Sequence, residues 1–117
     1  MKIIDYKEVI LEPVVDFEET KGVRVRWLIS DKDKAPSFAM RMFEVAPEGY
    51  SPLHTHKWEH EVFILEGEGV ATDGEKECKI KKGTVVYVPP EEKHQFKNTG
   101  SDTLRFLCLI PIKNSNK

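Results

Sequence analysis

The stretch HTHKWEHEVFILEGEG, residues 54–69, holds three of the chain's four histidines and runs directly into an apolar strand signal. His54 and His56 are two residues apart, so on an extended strand their imidazoles project from one face, close enough to share an ion. Lys57-Trp58-Glu59 interrupts the pattern, and a turn there would bring His60 to the same point. The fourth histidine, His94, follows Pro89-Pro90 in PPEEKHQF and shares its parity with Phe96 and Asn98. Any one of these residues taken singly reads as a surface or packed histidine. Neutral imidazole is the commonest side-chain ligand for transition metals, and four histidines at two places with none elsewhere point to one metal site built from distant segments.

Around the cluster the chain is a series of short strand signals separated by Gly, Pro, Asp and Asn. VRVRWLIS (23–30) alternates Val23, Val25, Trp27 and Ile29 with polar residues, and FAMRMFEV (38–45) is a second run. EVFILEGEGVAT (61–72) passes through Glu-Gly turns, KECKIKKG (76–83) alternates, TVVYVPP (84–90) is stopped by prolines, and TLRFLCLI (103–110) closes the set. Asp73-Gly74 is a hairpin signal, and residues 31–37 read as a loop. With no convincing amphipathic helix, the expectation is an all-β sandwich or barrel. In Val62-Phe63-Ile64-Leu65 both parities are apolar, so this strand needs cover on its outer side too. A second subunit would give a homodimer; an N-terminal strand of the same chain would serve equally.

At 117 residues the chain is one domain, expected to comprise a barrel with its N-terminal strand segment over 1–112 and a polar tail over 113–117. Lys and Arg number 18 against 20 Asp and Glu, a net charge of -2, which speaks against nucleic-acid or membrane-surface binding and for a small-molecule partner. No apolar leader follows Met1 and only Cys78 and Cys108 are present, so a cytoplasmic protein without a disulfide is expected. Cysteine pairs of a zinc ribbon and an HExxH motif are both absent.

Two ordered motifs bring the chain close to a known family. Gly49-x4-His54-x-His56-x3-His60-x6-Gly67 resembles the first cupin motif, and Gly83-x5-Pro89-x-Glu91-x2-His94-x3-Asn98 resembles the second. The resemblance implies a double-stranded β-helix, or jelly-roll barrel, with one metal inside. Three departures stand out: the first gap is one residue short, Glu91 replaces a glycine, and His60 stands where the family carries a glutamate ligand. Glu61 is an alternative ligand by its spacing from His56, but only His60 also satisfies the spacing to Gly67. His54, His56, His60 and His94 therefore resemble the ligand set of the four-histidine cupins.

Four neutral nitrogens leave a divalent charge uncompensated and suit transition metals rather than Mg2+ or Ca2+. Mn or Fe is favoured, with Zn, Ni or Cu as alternatives, because an octahedral ion would keep two positions open for ligand. Metallocupins are often dioxygenases and less often isomerases, decarboxylases or lyases; others only bind or sense small molecules. The resemblance thus implies dioxygenase-like oxidation of a small organic substrate, with a non-catalytic binding module as the rival. No residue is an evident general base. Candidate pocket residues are Phe96, Phe106 and Cys108 on inward parities, Trp58 between two ligands, and Arg41, which an inward face would make a carboxylate clamp. An outward Arg41 or a purely packed Cys108 is the plain alternative for each.

Overall fold

The computed structural model describes residues 1–15 and 19–112, so the tail expected over 113–117 lies outside the described residues. Among the described residues nine strands follow one another: β1 (Glu12–Pro13), β2 (Lys21–Ile29), β3 (Phe38–Tyr50), β4 (His60–Glu66), β5 (Glu68–Thr72), β6 (Glu77–Lys81), β7 (Val85–Val88), β8 (Gln95–Asn98) and β9 (Leu104–Pro111). All their pairings are antiparallel, in the order β6-β5-β8-β3-β9-β4-β7, with β2 on β3 and β1 on β2. Among the described residues the helical segments are two short 3-10 turns, and no helix is long and apolar enough to cross a membrane.

β3 belongs to both sides of the curled sheet. Its first eight residues pair with β9, from Phe38 opposite Pro111 to Val45 opposite Leu104, while its last residue, Tyr50, pairs with Lys97 of β8. Between these registers Glu48 takes a left-handed φ of 69°, so the strand bends and carries the sheet round. Alternation then sorts the side chains: Val23, Val45, Val62, Ile64, Ile80, Val88, Phe96, Leu104, Phe106 and Cys108 fill the interior between the two sides. Val45, Ile64 and Leu104 are wholly sealed, which is why their strands keep the inner parity.

Several boundaries differ from the sequence-based expectation. The run over 61–72 divides into β4 and β5 at Gly67, one of its Glu-Gly turns, where a φ of +87° shifts the chain from the β9 side of the sheet to the β8 side and an added Cβ would stand 2.6 Å from the Thr103 carbonyl oxygen. The run from Phe38 extends to Tyr50, and the loop after β2 starts with a 3-10 turn over Asp31–Asp33 whose first residues are capped by Ser30. His54 and His56 were expected on one extended strand; residues 51–59 instead form an irregular crossing, touching the sheet pattern only where His54 bridges His94.

Cover for the outer face of β4 does not come from β1, which pairs with β2 three strands away. Phe63, Val85 and Tyr87 are exposed there and line a groove of about 390 Å³ with Val86, Leu107 and Leu109.

Candidate metal centre

The two motifs are zipped together by their own backbones. His54 and His94 exchange N–H to carbonyl bonds of 3.2 and 3.0 Å, and the Glu91 N–H donates to the His56 carbonyl at 2.7 Å. Glu91 achieves this with φ 68°, so the residue in place of the family's glycine adopts the glycine-like conformation. Ser51 adds a further stitch, with its N–H on the Phe96 carbonyl and its hydroxyl accepting the Phe96 N–H, each at 2.9 Å. β4 then begins at His60, opposite Val88 of β7. The four rings converge at one mouth of the barrel, with centroids 4.5 to 5.0 Å apart for His54–His56, His54–His94, His56–His60, His56–His94 and His60–His94.

Hydrogen bonds fix how three of these rings face. The Nδ1 atoms of His54, His56 and His94 lie 2.9, 3.0 and 2.9 Å from the carbonyls of Pro52, Trp58 and Glu92. A carbonyl only accepts, so each Nδ1 carries the hydrogen and each Nε2 keeps its lone pair. One ring nitrogen from each of the three lies within 4.8 Å of the others. Burial, before the field of the neighbouring rings, holds His56 below the ordinary histidine range, and burial does the same to His94. For His60, burial first and then the Arg41 guanidinium push the pKa down to about 2. Unprotonated, inward-facing imidazoles are the donor set a divalent transition ion takes, so the residues present fit such an ion.

His60 is held differently from the other three. Its Nδ1 faces Sγ of Cys108 at 3.1 Å and Nη2 of Arg41 at 3.3 Å, while its Nε2 lies 2.8 Å from Nε2 of His56. Arg41 points inward: Nη2 also donates to Cys108 Sγ at 3.1 Å, and the guanidinium lies over the rings of Trp27 and Phe43 at 5.4 and 4.8 Å. Its Nε is buried and has no hydrogen-bond partner among the described residues. Trp58 stacks on His56 with centroids 4.3 Å apart and planes within 5°. Phe96 and Phe106, 5.0 Å apart, form the floor, with Phe96 reaching to 6.5 Å from His94. Glu61 sits on the other parity of β4, exposed in the outer groove, and not with the histidines.

Trp27 was not singled out from the sequence. Its inward parity with Val23 and Val25 was visible, but its place beside Arg41 comes from the β2–β3 register, in which the two are direct partners.

An antiparallel barrel closing around histidines from a first and a second motif defines a class, the cupins. The chain belongs to that family: the cupin domain model matches residues 41–110. It is similar to the oxalate-binding protein of Thermotoga maritima, with 35% identity over 113 residues, 92% of each chain. It is also similar to the 1-methylthio-D-xylulose 5-phosphate methylsulfurylase of Rhodospirillum rubrum, 37% identical over 71 residues; these are 61% of this chain but only 46% of that relative's length. Among solved structures, the polyketide cyclase RemF from Streptomyces resistomycificus superposes with a TM-score of 0.88 at 34% identity, covering 95% of this chain and 79% of that one.

Proposed function

We propose that the chain is a metal-dependent cupin that binds a small anionic organic ligand at a mononuclear histidine site and oxidises it in a dioxygenase-like reaction. The observation that carries the ligand class is Arg41, a buried-facing cation set against His60 with its Nε still unpartnered. His54, His56, His60 and His94 would hold the ion, which would supply Lewis-acid and redox chemistry; Mn or Fe suits that role best, and Zn, Ni or Cu fits the same donors. Neutral ligands leave its charge uncompensated, and Arg41 adds a second positive charge beside it. A carboxylate or enolate balances both.

The chain's own groups then have defined tasks. Arg41 orients the ligand through charge-assisted hydrogen bonds. Trp58, flat against His56, shields that ring from water, and Trp27, itself exposed, braces the Arg41 guanidinium with its ring face. Phe96 and Phe106 close the floor of the pocket.

With oxalate as the probe, Arg41→Met should weaken binding to the Mn-loaded protein roughly 10- to 100-fold, the size of one lost charge-assisted contact, while Arg41→Lys loses less. Calorimetry measures this directly, and unchanged affinity in Arg41→Met would remove the anion-clamp role. A second reading, a binding protein without turnover, is favoured by the oxalate-binding relative that matches nearly end to end. Oxygen uptake by the Mn- or Fe-loaded protein with enols, diols and thiols separates the two. Uptake supports oxidation, and none alongside intact ligand binding supports the binding protein.

We also assign a second copy of the chain to the apolar groove on β4, β7 and β9, where Phe63, Val85 and Tyr87 are exposed. Sedimentation should give twice the 13.5 kDa chain mass, and a monomer at micromolar concentration contradicts it.

A further inference from the structure

We infer that Cys108, braced by Arg41, decides which ring nitrogen of His60 carries its hydrogen, so that His60 is a conditional ligand while His54, His56 and His94 are fixed ones. The inference about the fixed and conditional ligands rests on the proposed metal site; the hydrogen placement does not.

The placement follows from a closed chain of contacts. His56 Nδ1 is committed to donating to the Trp58 carbonyl at 3.0 Å, so in the neutral ring its Nε2 can only accept. The 2.8 Å contact between His56 Nε2 and His60 Nε2 needs one hydrogen between them, and it must come from His60. His60 therefore carries its hydrogen on Nε2, and its Nδ1 is bare. That agrees with what faces Nδ1. Arg41 Nη2, at 3.3 Å, has no acceptor capacity, and the Cys108 thiol, at 3.1 Å, can donate its S–H. Both rings remain neutral in this placement, and burial lowers the pKa of each below the ordinary histidine range.

In this arrangement His60 Nε2 has no lone pair to offer. To act as a ligand the neutral ring must lose the hydrogen on Nε2 and take one on Nδ1, with no net change in protons. A hydrogen on Nδ1 then needs an acceptor, and Arg41 cannot be one. Sγ of Cys108 can, once its S–H turns away, and the Arg41 Nη2 donation at 3.1 Å keeps the sulfur in place. Cys108 is thus a positioning residue that supports His60 in either form. An alanine there would leave Nδ1 facing only the guanidinium and would lock His60 out of coordination.

Long-range proton–nitrogen NMR of the metal-free, nitrogen-15-labelled full chain at neutral pH tests the placement. His54, His56 and His94 should appear as Nδ1–H forms and His60 as the Nε2–H form; a His60 Nδ1–H form overturns the inference. The second arm titrates metal-stripped protein with Co2+. Cys108→Ala should lose roughly tenfold in affinity, in the range set by second-sphere changes, and match His60→Ala, while Cys108→Ser recovers wild-type behaviour within a few-fold. Wild-type affinity in a folded Cys108→Ala overturns the conditional role. If that variant does not fold, the wild-type NMR pattern decides. Absence of Co2+ binding by the wild type would defeat the metal-site proposal and, with it, the ligand role, while the NMR pattern still judges the hydrogen placement.

Discussion

His94→Ala is expected to weaken binding of a divalent transition ion by more than about 100-fold, a larger loss than the tenfold or so expected for His60→Ala. His94 is buried, its Nδ1–H is tied to the Glu92 carbonyl at 2.9 Å, and its ring stands within 4.9 Å of those of His54, His56 and His60. That orientation is established by folding, so the ion gains a donor that needs no ordering on binding. The backbone bridge to His54 uses main-chain groups only and survives the substitution, which leaves the other rings in place. Titration with Co2+ or Mn2+ measures the loss. A folded His94→Ala variant that binds the ion like the wild type would exclude His94 as a ligand.

Gly69→Ala should destabilise the chain by on the order of 3–5 kcal/mol, among the largest effects of any single substitution. Gly69 lies in β5 between Ile80 of β6 and Asn98 of β8. A Cβ there would stand 2.0 Å from the Lys97 carbonyl oxygen and 3.1 Å from its carbon. Both atoms are backbone, so relief requires β5 and β8 to separate rather than a side chain to turn. β8 follows His94 directly, and its Asn98 amide is anchored to the Val45 and Asp102 carbonyls at 2.8 Å each. The same displacement should therefore loosen the metal site. Thermal unfolding should show a midpoint lowered by more than about 10 °C, and an unchanged midpoint would mean the two strands are not packed as described.

The sequence carried much of this architecture because alternation is a local property. Val23 and Val25, or Leu104, Phe106 and Cys108, mark the inner face of their strands without reference to any neighbour. The same parity separates buried His60 from exposed Glu61 once a strand is known to start there. What happens between strands was not legible. Arg41, Trp27 and Cys108 meet because Trp27 pairs with Arg41 and Arg41 with Cys108, and register depends on the whole sheet. The two-residue spacing of His54 and His56 suggested a strand, yet their geometry comes from carbonyls two residues away on an irregular crossing. Nor does the spacing reveal that Glu91 accepts a left-handed backbone, which it does while its N–H is held by the His56 carbonyl.

The most direct test of the metal centre is the stoichiometry and ligand field of a spectroscopically active ion loaded under anaerobic conditions. Metal-stripped protein titrated with Co2+, followed by optical and pulsed paramagnetic-resonance spectra, should saturate at one ion per chain, with couplings to several imidazole nitrogens. Failure to saturate, or a bound ion without imidazole nitrogen in its coordination, would contradict the assignment of His54, His56 and His94 as its ligands.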